Sequence, residues 1–212
     1  MKILAFTDIH GHAKNLGYVS ASQTLKKLDH FKKTIKENDI DFAICCGDIT
    51  YFGEEIEAIM KKIGDLGVDV LLIHGNHEEE DEVRLLSKKY DNIHFLHGKM
   101  EKIGNFVFIG YGGGGFSRRD SEFVETMKTL TNKLDKKEKI VLFTHAPPHG
   151  TKIDFRPPYG HVGNIDYREF IEKHNVVLAM AGHIHEGFGL QQKLGKTTIL
   201  DPGPDGKIID LE

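Results

Sequence analysis

The stretch Lys2-Ile3-Leu4-Ala5-Phe6-Thr7-Asp8-Ile9-His10 decides how the rest of the chain is read. An apolar run of strand length ends in a carboxylate and an imidazole at a spacing of two. In an extended backbone that spacing puts both side chains on the same side, where they can converge on one ion. The run is continuously apolar rather than alternating, which predicts a strand covered on both faces.

Outward from that stretch the same pattern recurs. The run Asp41 to Cys46 leads into Gly47-Asp48, Val68 to His74 into Gly75-Asn76-His77-Glu78, Ile140 to Thr144 into His145, and Val176 to Ala181 into Gly182-His183-Ile184-His185. Ile93 to Leu96 and Phe106 to Tyr111 are further strand-length runs. Between them, Leu25, Leu28, Phe31 and Ile35 lie on the inner side of a helix expected from Ser22 to Glu37. Ile56, Ile59, Met60, Ile63 and Leu66 fall at helical spacing, as do Phe123, Met127, Leu130 and Leu134. Strands alternating with helices predict an α/β fold. From Phe188 to Leu211 the short apolar runs, broken by Leu194-Gly195-Lys196 and by Pro202-Gly203-Pro204-Asp205-Gly206, predict a small antiparallel unit and so a mixed sheet system.

The 212 residues suit a single domain spanning 1–212. A formal net charge of -4 leaves no electrostatic footprint for duplex nucleic acid. No segment approaches the ~18 uninterrupted apolar residues of a membrane span, and Met1-Lys2 runs straight into a strand rather than a secretory signal, so the expected location is cytoplasmic and no membrane partner is expected. Cys45 and Cys46 are adjacent, lack metal-ligand spacing and read as buried strand residues.

Any one of the strand-end motifs alone is an ordinary turn. Five in one chain, each just after an apolar strand, bring together Asp8, His10, Asp48, Asn76, His145, His183 and His185. Two Asp, one Asn and four His form a thiolate-free oxygen and nitrogen donor set that suits transition metals. Seven donors exceed the needs of one tetrahedral ion, which predicts a two-metal site.

These residues resemble the motifs of the calcineurin-like metallophosphoesterase superfamily: Asp8-Ile9-His10, Gly47-Asp48, Gly75-Asn76-His77-Glu78, His145 and Gly182-His183-Ile184-His185, over Lys2 to about Glu186. The resemblance implies a four-layer α/β/β/α sandwich of two mixed sheets flanked by helices. It also implies one ion held by Asp8, His10, Asp48 and His185, and a second held by Asp48, Asn76, His145 and His183, with Asp48 bridging. The implied cofactors are two divalent or mixed-valence transition-metal ions, Mn, Fe, Zn or Ni, with Mn favoured. In two-metal chemistry a bridging hydroxide attacks phosphorus in line. His77 is then the expected general acid and Glu78 the carboxylate that orients it.

Within the superfamily, the protein serine/threonine phosphatases carry phosphate-gripping arginines after the Gly-Asp and Asn-His-Glu motifs. The corresponding segments here, Ile49 to Gly53 and Glu79-Glu80, have none. A monoester dianion needs more positive help than a diester monoanion, so diesters are favoured. Gly47-Asp48-Ile49-Thr50 with Gly53, His161-Val162-Gly163 and Gly182 to Gly189 look like the branch containing class III cyclic-nucleotide phosphodiesterases and their metallophosphoesterase-domain relatives, although Asp201 stands where many relatives have Asn. The implied activity is a phosphodiesterase on small or cyclic nucleotide-like diesters. A phosphomonoesterase on small metabolites and a non-catalytic scaffold of the same fold are the alternatives, and the intact ligand set and His77 weigh against the scaffold. The Pro/Gly-rich loop from Ala146 to Asn164 offers Arg156 as phosphate or base contact, with His149 and His161 as further substrate contacts. Gly112 to Arg119 borders the cleft or forms a turn, and lacks the Lys-Ser/Thr of a phosphate loop. His12 reads equally as a substrate contact or as a polar helix start.

Overall fold

The computed structural model describes residues 1–12 and 15–212. In chain order its elements are β1 (Lys2–Phe6), β2 (Gly11–His12), β3 (Asn15–Tyr18), α1 (Ala21–Asn38), β4 (Phe42–Cys45), α2 (Ile56–Gly64), β5 (Asp69–Leu72), α3 (Glu80–Ser87), β6 (Ile93–Phe95), β7 (Lys99–Ile103) and β8 (Phe106–Tyr111). They continue with α4 (Ser121–Thr131), β9 (Lys139–Thr144), β10 (Phe155–Arg156), β11 (Gly160–His161), α5 (Ile165–Lys173), β12 (Val176–Met180), β13 (Gln191–Leu194), β14 (Thr197–Leu200) and β15 (Lys207–Asp210).

Two sheets carry the fold. One has the order β15-β1-β4-β5-β6 and the other β13-β14-β12-β9-β8-β7. Parallel pairing runs through the middle of each, and antiparallel pairs close the edges: β15 on β1 in the first, β7 on β8 and β13 on β14 in the second. Both sheets are therefore mixed.

The continuous apolar runs are explained by what each strand face meets. In β1, Ile3 and Ala5 join Ile44, Leu71, Phe108, Val141, Phe143, Leu178 and Met180 in a core between the sheets. The alternate residues Leu4 and Phe6 face outward and pack with Leu28, Phe31 and Ile35 of α1 and Ile59, Met60 and Ile63 of α2. On the far side, Val107, Ile109 and Leu142 pack against Phe123 and Met127 of α4 and Tyr167 and Phe170 of α5. Three cores between helices, sheet, sheet and helices make the α/β/β/α sandwich. Cys45 and Cys46 are buried free thiols on opposite faces of their strand, one in the outer core and one in the inner.

Several elements depart from the sequence reading. The tail from Phe188 to Leu211 is not one small antiparallel unit: the β13–β14 hairpin extends the second sheet, with β14 parallel to β12, while β15 crosses to the first sheet and pairs with β1. The Pro202 to Gly206 segment makes that crossing. Strand β7 reads as polar because it is an edge strand. The helices α3 and α5 span 8 and 9 residues, too short for a long apolar stripe. Helix α4 ends at Thr131, so Leu134 packs from the following turn. His12 lies in β2 rather than at a helix start, and its side chain is outside the described residues. Among the described residues no helix is long and apolar enough to cross a membrane.

Phe143 is fully buried between the sheets. Phe143→Ala is expected to cost about 3–5 kcal/mol in urea unfolding, and Val124→Ala, on an exposed side chain, less than about 0.5 kcal/mol.

Candidate metal centre

The motifs lie at the carboxyl ends of parallel strands from both sheets. Asp8 and His10 follow β1, Asp48 follows β4 and Asn76 follows β5, whereas His145 follows β9 and His183 and His185 follow β12. Hydrogen bonds join the strand ends: Asp8 N donates to Gly47 O at 3.0 Å, and Gly182 N to His145 O at 2.9 Å. Across the sandwich, His145 Nδ1 lies 2.9 Å from the Cys46 carbonyl.

Backbone conformation aims these side chains. Asp8, Asp48 and His183 all adopt positive φ, 49°, 51° and 68°. That left-handed region costs an L-residue roughly 1–2 kcal/mol. The motif glycines clear the space the carboxylates occupy. A Cβ built on Gly75 would fall 1.8 Å from Asp48 Oδ1, and one on Gly182 would fall 2.0 Å from Asp8 Oδ2.

Among the described residues, three groups of side chains bring ligand atoms close enough for an ion: Asp8 with His10 and His185, His10 with Asp48 and His77, and Asp48 with His145 and His183. Asp48 belongs to two of them. Its Oδ2 lies 3.3 Å from His145 Nε2 and 3.8 Å from His77 Nε2, and Asp8 Oδ1 lies 3.5 Å from His185 Nε2. Asn76 Oδ1 reaches the same place, 3.0 Å from His145 Nε2.

The donor atoms fit metal ions. His10 Nδ1 lies 2.8 Å from the Asp48 carbonyl, which can only accept, so Nε2 is the ring atom left to face a ligand. His10 Nε2 and His183 Nε2 are both buried without a hydrogen-bond partner. Such atoms are costly unless something binds them. Burial disfavours charge on Asp48, but His145, His10 and His77 outweigh it and hold the carboxyl well below the usual range. Burial likewise opposes charge on His145, yet Asp48 and Asp8 push it up to about 10. The carboxylates thus demand positive charge at the point where the imidazoles converge, the electrostatic setting of a cation site. These contacts support a dinuclear metal centre.

His77 stands at the edge of this cluster, where its backbone N–H donates to Asp48 Oδ1 at 3.0 Å. Burial draws its imidazole below the ordinary histidine range against the opposing Asp48 charge. Glu78 does not reach its ring. Its Oε2 accepts from Gly75 N (2.9 Å) and Asp48 N (3.1 Å), and its Oε1 from Thr50 N (2.9 Å) and Thr50 Oγ1 (3.0 Å). Four donors on two oxygens suit the ionised carboxylate, although burial and the Asp48 charge push its carboxyl up to about 7. Glu78 therefore sets the loops that carry Asp48 and Asn76 rather than the His77 imidazole. Three backbone N–H groups and one hydroxyl occupy its oxygens, and a motif reading cannot show that.

A cleft of about 200 Å³ opens onto the cluster, lined among others by Tyr18, Asn76, His77, Phe116, Arg156, His183 and Glu186. Arg156 is brought to it. His149 and His161 are not among the lining residues; they flank the fully buried Asp154, whose carboxylate lies 2.8 Å from His161 Nδ1 and 3.5 Å from His149 Nδ1. Asp154 also accepts from Gly150 N, Thr151 N and Gly163 N at 2.7–3.0 Å. The long loop is thus folded around one internal anion, which the sequence reading missed because its partners lie at irregular spacings.

In the segment from Gly112, the contribution to the cleft is Phe116. Arg118 donates to the His161 carbonyl and Arg119 pairs with Asp166 and Glu169, so neither arginine faces the ligands. Asp201 is buried outside the cleft lining, where burial and the Asp8 charge push its carboxyl well up. The aromatic residues Tyr18, Tyr51, Phe52 and Phe116, which surround the cluster, were also missed, since no motif contains them.

Gly75→Ala is expected to displace the Asp48 carboxylate and lower the metal content measured by plasma mass spectrometry, with the circular dichroism of the fold retained. Full metal content in this variant would contradict the crowding described.

Comparison with known proteins agrees with this geometry. A dimetal phosphatase from Danio rerio matches the structure with a TM-score of 0.59 at 13% identity, covering 94% of this chain and 86% of its own. The calcineurin-like phosphoesterase YfkN from Bacillus subtilis matches with a TM-score of 0.52 at 14% identity, covering 99% and 89%. These likenesses show the fold. The uncharacterised protein MJ1162 of Methanocaldococcus jannaschii is 32% identical over 219 residues, 99% of this chain and 91% of that protein. The family model for calcineurin-like phosphoesterases matches residues 1–187, every strand-end motif included, and the chain belongs to that family.

Proposed function

We propose that the chain is a phosphodiesterase acting on small or cyclic nucleotide-like diesters. Asp8, His10, Asp48 and His185 hold one ion, Asp48, Asn76, His145 and His183 hold the other, and manganese is the preferred metal. The observation that carries the two-metal reading is the pair of separate ligand groups, Asp8 with His10 and His185 and Asp48 with His145 and His183, with Asp48 also within reach of His10. Bound ions of this kind supply an activated water nucleophile and neutralise charge on the phosphoryl oxygens.

The chain's own residues do the rest. His77 presents Nε2 toward Asp48 and delivers a proton to the departing oxygen, a contribution typically worth ~10²–10⁴-fold. Arg156 contacts the phosphate. His149 and His161 serve it indirectly, by holding Asp154 and with it the loop that carries Arg156.

The charge of the cleft favours diesters over monoesters. Among the described residues that line it, Arg156 is the single guanidinium and there is no lysine, and Glu186 sits 3.5 Å from the Arg156 Nε. A phosphate monoanion needs less compensation than a dianion in such a setting.

With manganese bound, the protein is expected to hydrolyse bis(para-nitrophenyl) phosphate and cyclic nucleotides faster than para-nitrophenyl phosphate. Equal or faster monoester turnover would replace the diester reading with that of a phosphomonoesterase. His77→Ala is expected to keep its metal and to lower kcat by about 10²–10⁴-fold; wild-type turnover in that variant would remove the acid role.

A further inference from the structure

Exposed aromatic side chains gather around the candidate metal centre. Tyr18, Tyr51, Phe52 and Phe116 are all exposed. Three of them surround His77: the ring centroids of Tyr18, Tyr51 and Phe52 lie 5.7, 5.5 and 4.4 Å from its imidazole, and Tyr18 and Tyr51 lie 4.2 Å from each other. Phe116 stands apart from them, 4.5 Å from His183 with the Arg156 guanidinium 5.2 Å over its ring.

Phe52 is the most informative of these. It is 70% exposed, and its backbone lies in the left-handed region at φ 51°. A bulky L-residue adopts that conformation only at a cost, and burial does not offset it here. The corner is nonetheless firmly built: Gly53 N donates to Thr50 Oγ1 at 3.0 Å, and Thr50 bonds through N and Oγ1 to Glu78. One buried carboxylate thus sets both the Asp48 loop and the aromatic corner.

We propose that Tyr18, Tyr51 and Phe52 form a specificity surface that receives a planar aromatic ring on the departing side of the ester; this rests on the phosphoesterase reading above. In the hydrolysis, the water oxygen bonds to phosphorus, the bond from phosphorus to the departing oxygen breaks, and that oxygen takes the His77 proton. The departing substituent therefore lies on the His77 side, where among the described residues Tyr18, Tyr51 and Phe52 are the exposed aromatic side chains around the imidazole. A flat ring, whether an aryl group or a nucleobase, offers the face that such rings stack on.

Benzyl methyl phosphate and cyclohexylmethyl methyl phosphate release alcohols matched in size and attachment that differ in flatness; the corresponding monoesters replace them if the wild type turns monoesters over faster. The manganese-loaded wild type is expected to favour the benzyl ester by about 10-fold in kcat/KM, and both Phe52→Leu and Tyr51→Ala to bring the ratio to about 1 with metal content unchanged. Phe52→Tyr is expected to keep the preference. A wild-type ratio near unity, or a preference that survives both substitutions, overturns the proposal and leaves the phosphoesterase reading standing. Failure to turn over any ester removes both.

Discussion

A carboxylate taken out of water costs several kcal/mol unless charge and hydrogen bonds compensate it, and Asp48, 2% exposed, is placed where only its neighbours can do so. Its backbone N–H is held by Glu78, its Oδ1 receives the His77 N–H, and its Oδ2 faces His145 and His77. The glycine opposite has no side chain because Asp48 needs the room. The motif residues of three strand ends are thus conditions for a single buried anion, and the demand for positive charge follows from having assembled it.

Glu78 and Asp154 repeat this device at lower stakes. Each is a buried carboxylate that gathers backbone N–H groups from loop segments outside the strand ladders. An irregular segment cannot be buried without partners for its amides, and one side chain with four acceptor sites supplies several at once. That lets the loops above the cleft hold defined shapes with little secondary structure, the Asp154 loop having only the two-residue strands β10 and β11.

The layers of the sandwich were legible in the sequence because its central strands are apolar on both faces, so Lys2 to Phe6 or Ile140 to Thr144 stand out from their surroundings. The ligand motifs were legible because a strand end fixes the spacing of Asp8 and His10 or His183 and His185. Where the physics is less local, reading stopped. Strand β7 alternates weakly at an edge, and α3 opens on Glu80, Asp81 and Glu82, which look like a solvated charge run until Val83 and Leu86 are seen packed inside. Glu78 sits beside His77 in the chain but bonds to the backbone of Thr50, 28 residues away. His149 and His161 read as cleft residues because their loop runs between two ligand motifs, and only folding around Asp154 turns them aside. The aromatic corner belongs to no periodic pattern at all.

The candidate ligands are divided between the two sheets: Asp8, His10, Asp48 and Asn76 ride on one, and His145, His183 and His185 on the other. Between the sheets the core is side-chain packing, with no strand ladder running from one sheet to the other. Ions held by both sets would act as a fastener at one end of the seam, so that shear of one sheet over the other would have to break coordination as well as contact. Metal occupancy and the cohesion of the sandwich would in that sense be a single linked equilibrium.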